Sequence, residues 1–402
     1  MRNLTGLKNT EQAFLFFLQE DTPKEEMVGI TRNFNQDSWQ ELSELAINCG
    51  LLPAFYRRLT ALGLENIPSQ IKDKLKNIYL YNLQRNILLE KELLKILPCF
   101  EEADIAVIPL KGPLLARYIY ADLSSRLTSA DLDLLVKKED LNKAKTLLER
   151  LGFGADQRSF AEYLKFRRQL TLRKTDANGT ILIDLHWDIG NRFICARIED
   201  FWNNARKTES AGYSVLMPCP EDLILYLTLV SLSSHDFIQL RYLYDLHKAI
   251  LKLKDALNWK LLTEKAFACQ QQTTLFFALK LSDEFFRNEI PKEVLEKLHP
   301  GLIKEKICRL WINKTNILRF GLRGKRGYIW FYIVTSYLGS KNIFDCMRLV
   351  LSRVFIPAQE VAWDYRHPQE KRYYAYIKRL FKPLQRIIKK PSRRNLKKTK
   401  IK

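Results

Sequence analysis

Apolar and polar positions alternate with different periods along the chain. Leu80, Leu83, Ile87, Leu94 and Leu97 fall three, four or seven residues apart, with Gln84, Arg85, Lys91 and Lys95 between them. That spacing places one apolar stripe on a helix, and Pro98 predicts its end. Earlier, Asp37-Ser38-Trp39-Gln40 has capping-box spacing ahead of Leu42, Leu45 and Ala46, so a second helix is expected to start there.

Near residue 104 the period shortens. Ile105-Ala106-Val107-Ile108-Pro109-Leu110 reads as a short buried strand ended by its proline. Lys111-Gly112 follows, and Pro113 suits the first turn of a helix running to Tyr120. A loop to Ser129 leads to a strand over Ala130 to Val136, then a helix from Asp140 to Leu151 stopped by Gly152. Leu170 to Lys174 and Thr180 to Trp187 flank Asp176-Ala177-Asn178-Gly179, a hairpin signal. Helical spacing returns after Pro218, over Glu221 to Leu232, Phe237 to Leu253, Trp259 to Cys269 and Thr273 to Arg287. An aromatic stretch, Tyr328 to Tyr337, precedes one more helix near Asn342 to Val354. The expected architecture is α+β: a small mixed-sheet core over 103–210, helical regions over 1–102 and 211–356, and a tail over 357–402.

Composition adds bounds. With 47% hydrophobic residues the chain can bury a core, and 15 Gly with 14 Pro in 402 residues speak against collagen-like or turn-rich all-β designs. The net charge is +21, but residues 371–402 hold 14 Lys and Arg and no acid, so the first 370 residues carry +7. Such a tail, interleaved with Tyr373, Tyr374, Tyr376 and Phe381, can lie on an anionic membrane or on nucleic acid, or simply be solvated. The start lacks an apolar signal segment and no window approaches a spanning length. Seven scattered cysteines without a CxxC pair read as reduced thiols with no disulfide partner. The expected location is cytoplasmic, with the inner membrane face as a docking place for the tail.

Candidate chemistry concentrates in the strands. In Asp131-Leu132-Asp133-Leu134 the two acids share one face of a strand and the leucines the other. Paired carboxylates suit a hard cation such as Mg²⁺, although an exposed strand edge also carries acids. Gly112, after a strand and before a helix, permits close backbone approach at a helix N-terminus, where an anion is favoured. Lys111 adds a point charge for a phosphate, and Arg126, five residues ahead of Asp131 in the approaching loop, is expected within reach of a triphosphate. Asp184 and His186 share a face of a later strand, so Asp184 would complete a two-metal site. His186 either contacts substrate or satisfies a buried partner. Arg241 and Asp245, four apart on one helix, read as an ion pair, with acceptor contact by Arg241 the second reading.

The order strand, turn, helix, DxD strand, later strand with a third acid is similar to the nucleotidyltransferase superfamily that includes DNA polymerase β. More closely, Leu110-Lys111-Gly112, Arg126 with Asp131 to Val136, and Asp184-Leu185-His186-Trp187 resemble the bacterial uncharacterised nucleotidyltransferase family. Trp39 with Leu51-Leu52-Pro53, Pro220-Glu221-Asp222-Leu223, Arg241 to Leu246 and Phe355-Ile356-Pro357 extend the likeness over most of 37–360. The resemblance implies an enzyme that moves a nucleoside monophosphate from an NTP, ATP among them, to an acceptor hydroxyl, releasing pyrophosphate. It implies two Mg²⁺ ions, or Mn²⁺, on Asp131, Asp133 and Asp184, with Asp184 helping to deprotonate the acceptor and Lys111 and Gly112 on the phosphates. The superfamily usually has Gly-Ser where this chain has Lys111-Gly112. A binding scaffold on the same fold, without catalysis, is the alternative.

Overall fold

Period-two alternation in the middle of the chain becomes a five-stranded sheet. Its strands are β1 (Val107–Pro109), β2 (Asp131–Val136), β3 (Gly154–Ala155), β4 (Gln169–Asp176) and β5 (Gly179–His186), in the order β1-β2-β5-β4-β3. β2 and β5 run parallel at the centre, and the other pairings are antiparallel. In this computed structural model the described residues are 6–323 except 20, 128–130, 156–159, 161–163, 165–166, 178, 190–197, 211 and 233–238, together with 337–338, 340, 344–347 and 351.

One face of the central pair is dry. Leu132 and Leu134 on β2 lie level with Ile183 and Leu185 on β5, and all four are buried. The opposite face carries the acids, so the strands are anchored through their leucines and present their carboxylates.

Five helices precede the sheet: α1 (Asn9–Phe17), α2 (Lys24–Thr31), α3 (Gln36–Asn48), α4 (Leu52–Leu62) and α5 (Ser69–Glu102). α3 starts slightly earlier than expected, because Asn35 and not Asp37 accepts the Ser38 amide as the cap. α5 also runs through Pro98 instead of ending there. A proline inside a helix costs about 3 kcal/mol. Leu93, Ile96 and Phe100 beside it are fully buried, and at about 1.5–3 kcal/mol for each such side chain their burial outweighs that cost.

α6 (Pro113–Tyr120) opens with Pro113 at its first turn, as expected, and α7 (Leu141–Arg150) follows β2. After the sheet come α8 (Ile198–Asn203) and a hairpin of β6 (Arg206–Ser210) and β7 (Tyr213–Met217) that packs on β1 and α6. α9 (Pro220–Tyr226) continues into a π-helical segment at Leu227–Leu232. Then follow α10 (Leu240–Leu253), α11 (Trp259–Ala268), α12 (Gln272–Phe286), α13 (Lys292–Leu298), α14 (Leu302–Arg309) and α15 (Lys314–Arg323). β3, α8 and the β6–β7 hairpin were not expected from the sequence, whereas α1, α2, α4 and the last three helices fall inside the helical regions expected over 1–102 and 211–356 without having been placed one by one.

The chain divides into two compact units, 1–322 and 323–402. Almost all of the aromatic stretch and the whole basic tail lie outside the described residues, and of the helix expected at 342–354 only 344–347 and 351 are described, all of them helical. Among those described, no helix is long and apolar enough to cross a membrane.

Candidate active site

The parallel register sets the site. Asp133 on β2 lies directly opposite Asp184 on β5, and Leu135 opposite His186. Residues level with one another on neighbouring strands share a face, so Asp133, Asp184 and His186 converge. One ligand atom from each of the three falls within 4.8 Å of the others. Asp131 begins β2 on the same face, two residues before Asp133, and is not one of that closest set. One of its carboxylate oxygens, Oδ1, is buried and has no hydrogen-bond partner.

The acids are tuned against one another. Burial works to raise Asp133, but a hydrogen bond from His186 and the positive charges of Lys111 and Arg126 hold it below the usual carboxylate value. His186 Nε2 lies 2.9 Å from Asp133 Oδ1. An ionised carboxylate only accepts, so Nε2 carries the proton of this bond. Asp184 is shifted the other way. Burial raises it, the Thr171 hydroxyl opposes by donating to Oδ1, and the charges of Asp133 and Asp131 add to the rise. Thr171 reaches Asp184 because β4 pairs with β5 in a register that sets the two residues opposite each other.

The Lys111-Gly112 turn sits against the same strand. The amide of Leu110 donates to the carbonyl of Asp133 at 2.9 Å, which draws the end of β1 alongside the acids. Gly112 has φ +87° and ψ −151°, a region reserved for glycine, and a Cβ there would stand 3.5 Å from Leu132. Lys111 Nζ lies 5.9 Å from the ring centroids of both Tyr226 and Tyr242. It touches two aromatic faces and acts electrostatically on Asp133. Tyr226 is fully enclosed, and burial followed by the Asp133 charge pushes its hydroxyl well above the ordinary value.

Arg126 is placed differently from the simplest expectation of a side chain reaching toward a phosphate. It is buried and forms a forked ion pair with Asp245 of α10, Nη2 to Oδ2 at 2.9 Å and Nε to Oδ1 at 3.0 Å. Tyr120 donates to the same carboxylate at 2.7 Å. The expected Arg241–Asp245 pair is therefore replaced: Asp245 turns to Arg126, and Arg241 lies over the Tyr242 ring, 4.6 Å from its centroid, with Nη2 donating to its hydroxyl. Arg241 also sits where a side chain on Gly50 would collide with it, at 2.9 Å, and its Nε is buried without a partner.

The loop carrying Arg126 is held from the N-terminal helices. Asn86 of α5 donates to the carbonyls of Leu123 and Arg126, and Asn82 to that of Arg126. Asp122 caps the loop by accepting from the Ser124 and Ser125 amides, and Arg57 of α4 binds Asp122. Sequence reading missed Thr171, Tyr226, Tyr242, Asn82 and Asn86. For Thr171 a signal existed, since counting back from a two-residue hairpin loop sets it opposite Asp184.

The donor set fits a hard divalent cation. Three carboxylates on one face repel each other, one buried carboxylate oxygen is unpartnered, and oxygen ligands are what Mg²⁺ takes. A family model described as "Uncharacterised nucleotidyltransferase" matches residues 35–287, which take in the whole five-stranded sheet and every side chain described above. No curated protein and no solved structure matches the chain.

Proposed function

Because the chain belongs to the uncharacterised nucleotidyltransferase family, and is a transferase by that membership, we propose that it moves a nucleoside monophosphate from an NTP to an acceptor hydroxyl. The observation that carries this reading is the opposition of Asp133 and Asp184 across the parallel pair, with the unpartnered oxygen of Asp131 on the same face. Asp131, Asp133 and Asp184 would hold Mg²⁺ or Mn²⁺, two ions in the full site. Bound there, the cations supply neutralisation of phosphate charge and a more acidic acceptor hydroxyl.

In this reading the acceptor oxygen attacks the α-phosphorus, a new O–P bond forms, the bond to the β-phosphate oxygen breaks, and pyrophosphate leaves with that electron pair. Asp184 takes the acceptor proton, a role supported by its raised affinity for protons. Lys111 and the Gly112 turn receive the phosphates, the first as a point charge and the second as bare backbone at the start of α6. Arg126 adds positive potential from within its ion pair. Acceptor contact falls to His186, through Nδ1, and to Arg241. The sheet region 103–210 carries the chemistry, the helical regions 1–102 and 211–356 select the acceptor, and the segment 357–402, through its basic residues 371–402, meets an anionic membrane or nucleic acid.

The test is incorporation from α-labelled NTPs, each of the four offered with Mg²⁺ or Mn²⁺ and fractionated cell extract as acceptor source. Asp131→Asn and Asp133→Asn should each lower labelling by about a hundredfold or more while the protein stays folded, since a metal's contribution is several kcal/mol and each 1.4 kcal/mol is tenfold. Absence of Mg²⁺-dependent NTP binding in calorimetry on the unaltered protein would overturn the reading.

A further inference from the structure

α14 is built inside out. Two of its charged residues face the protein: Glu305 binds Lys280 of α12 at 2.6 Å and His299 at 2.9 Å, and Arg309 binds Glu284 of α12 at 2.5 Å. Cys308 and Ile312 complete that inner face and are fully buried. The opposite face is aliphatic and open. Leu302, Ile303 and Leu310 are 71%, 76% and 70% exposed and Ile307 is 42% exposed. On a helical projection these four fall within less than half a turn of one another, and Lys306, also exposed, lies among them. Its one acid, Glu305, is on the inner face. A surface helix ordinarily puts the aliphatic residues in and the charges out. Here ion pairs hold the helix down and leave the apolar stripe for something else.

Charge selects the occupant. The stripe carries a lysine and no acid. A second copy would bring the same lysine-bearing face to itself, and residues 371–402, with 14 Lys and Arg and no acid, would be repelled as well. Nucleic acid satisfies lysines but offers nothing to four aliphatic side chains. A surface that is anionic outside and hydrocarbon just beneath satisfies both. We propose that the outer face of α14, with Leu302, Ile303, Ile307 and Leu310 inserted and Lys306 at the headgroup level, docks on an anionic lipid bilayer. This surface is separate from the acids of β2 and β5 and does not depend on the nucleotidyl-transfer reading.

The test is co-sedimentation of the full chain with vesicles of phosphatidylcholine alone and of phosphatidylcholine with phosphatidylglycerol. The unaltered protein should partition onto the anionic vesicles and much less onto the neutral ones. Ile303→Ser/Ile307→Ser, which leaves every charge and the tail intact, should weaken that partitioning by at least about tenfold, because each aliphatic side chain is worth more than a factor of ten when buried. Ile303→Trp should strengthen it, since indole favours the headgroup region. Both positions are exposed, so thermal melting of the variants should match the parent. Unchanged partitioning of the double variant would overturn the proposal, assigning any lipid binding to the tail. So would a shift from dimer to monomer in the double variant, or loss of its binding to RNA or DNA, with vesicle binding unaffected.

Discussion

Thr171 shows how one hydroxyl acts on a reacting group it does not replace. It donates to Asp184 Oδ1 and is the contact that opposes the upward pull of burial on that carboxyl. Thr171→Val should lower the turnover of nucleotidyl transfer by about tenfold with little change in KM for the NTP, since a hydrogen bond to a charged group is worth about 1.5–3 kcal/mol. Thr171→Ser should restore most of it, and steady-state labelling measures both. A normal rate in the valine variant would remove Thr171 from the site. Gly112 has a structural role of another kind. Its φ of +87° excludes side chains, while the nearest atom a Cβ would meet is at an ordinary 3.5 Å. Gly112→Ala should therefore cost about 1–3 kcal/mol through backbone strain and not through a clash, read as a lower midpoint in urea. The three acids were legible because a strand's period of two is simple to count. The partner of Arg126 was not, because Asp245 lies 119 positions away and only packing brings the two together.

Elements meet at that buried pair. α10 packs on α6, and the Asp245 carboxylate takes the Arg126 fork and the Tyr120 hydroxyl together. Removing one partner of a buried ion pair costs about 3–5 kcal/mol, mostly from the charge left behind, whereas replacing both is far milder. Arg126→Met and Asp245→Leu should each lower stability by that amount, and the double variant should be clearly less unstable than the two losses added. A denaturation cycle measures the coupling, and strictly additive losses would show that the pair does not link the elements. Legibility was uneven at this scale. α5 forms where a helix was read, but on another face: it buries Ile71, Leu75, Leu89, Leu93, Ile96 and Phe100, while Leu80 and Ile87 of the expected stripe are exposed. Pro98 misled because the buried Leu93, Ile96 and Phe100 override a local preference. The β6–β7 hairpin went unseen because Arg206-Lys207-Thr208-Glu209-Ser210 has no apolar alternation, and its pairing comes from β7 and from packing on β1. Asn82 and Asn86 carry no signal in the sequence beyond being polar positions of that helix, yet both are buried as clamps on the Arg126 loop.

Over the whole molecule the net charge of +21 makes each acid a scarce partner, and buried or half-buried acids tie separate elements together. Glu11 of α1 binds Arg319 of α15 at 2.6 Å, Glu92 of α5 binds Lys174 of β4 at 2.5 Å, and Glu305 of α14 binds Lys280 of α12 at 2.6 Å. Burial raises each carboxyl, but the hydrogen bonds and charges of these bases overcome it and hold all three below their ordinary value of 4.5. A depressed acid binds fewer protons in the folded chain than in the unfolded one, so its contribution is present above the unfolded value and is lost as pH falls through the folded one. Asp184 has the opposite sign: its raised value favours the folded state only at low pH, and stability through it declines as pH rises past its ordinary 3.8. With Asp122 and Asp133, which are also depressed, five lowered carboxylates stand against one raised one among the described residues, and that sets the direction. The melting temperature should stay nearly level from pH 7 to 5 and then fall steeply as pH is taken below about 4.5, the ordinary glutamate value. The Glu11→Gln/Glu92→Gln/Glu305→Gln variant should melt lower at pH 7 and lose less between pH 5 and 3, because three of the groups whose protonation costs stability are gone. An acid slope as steep in that variant as in the parent would place the acid sensitivity elsewhere, with the ion pairs no longer its cause.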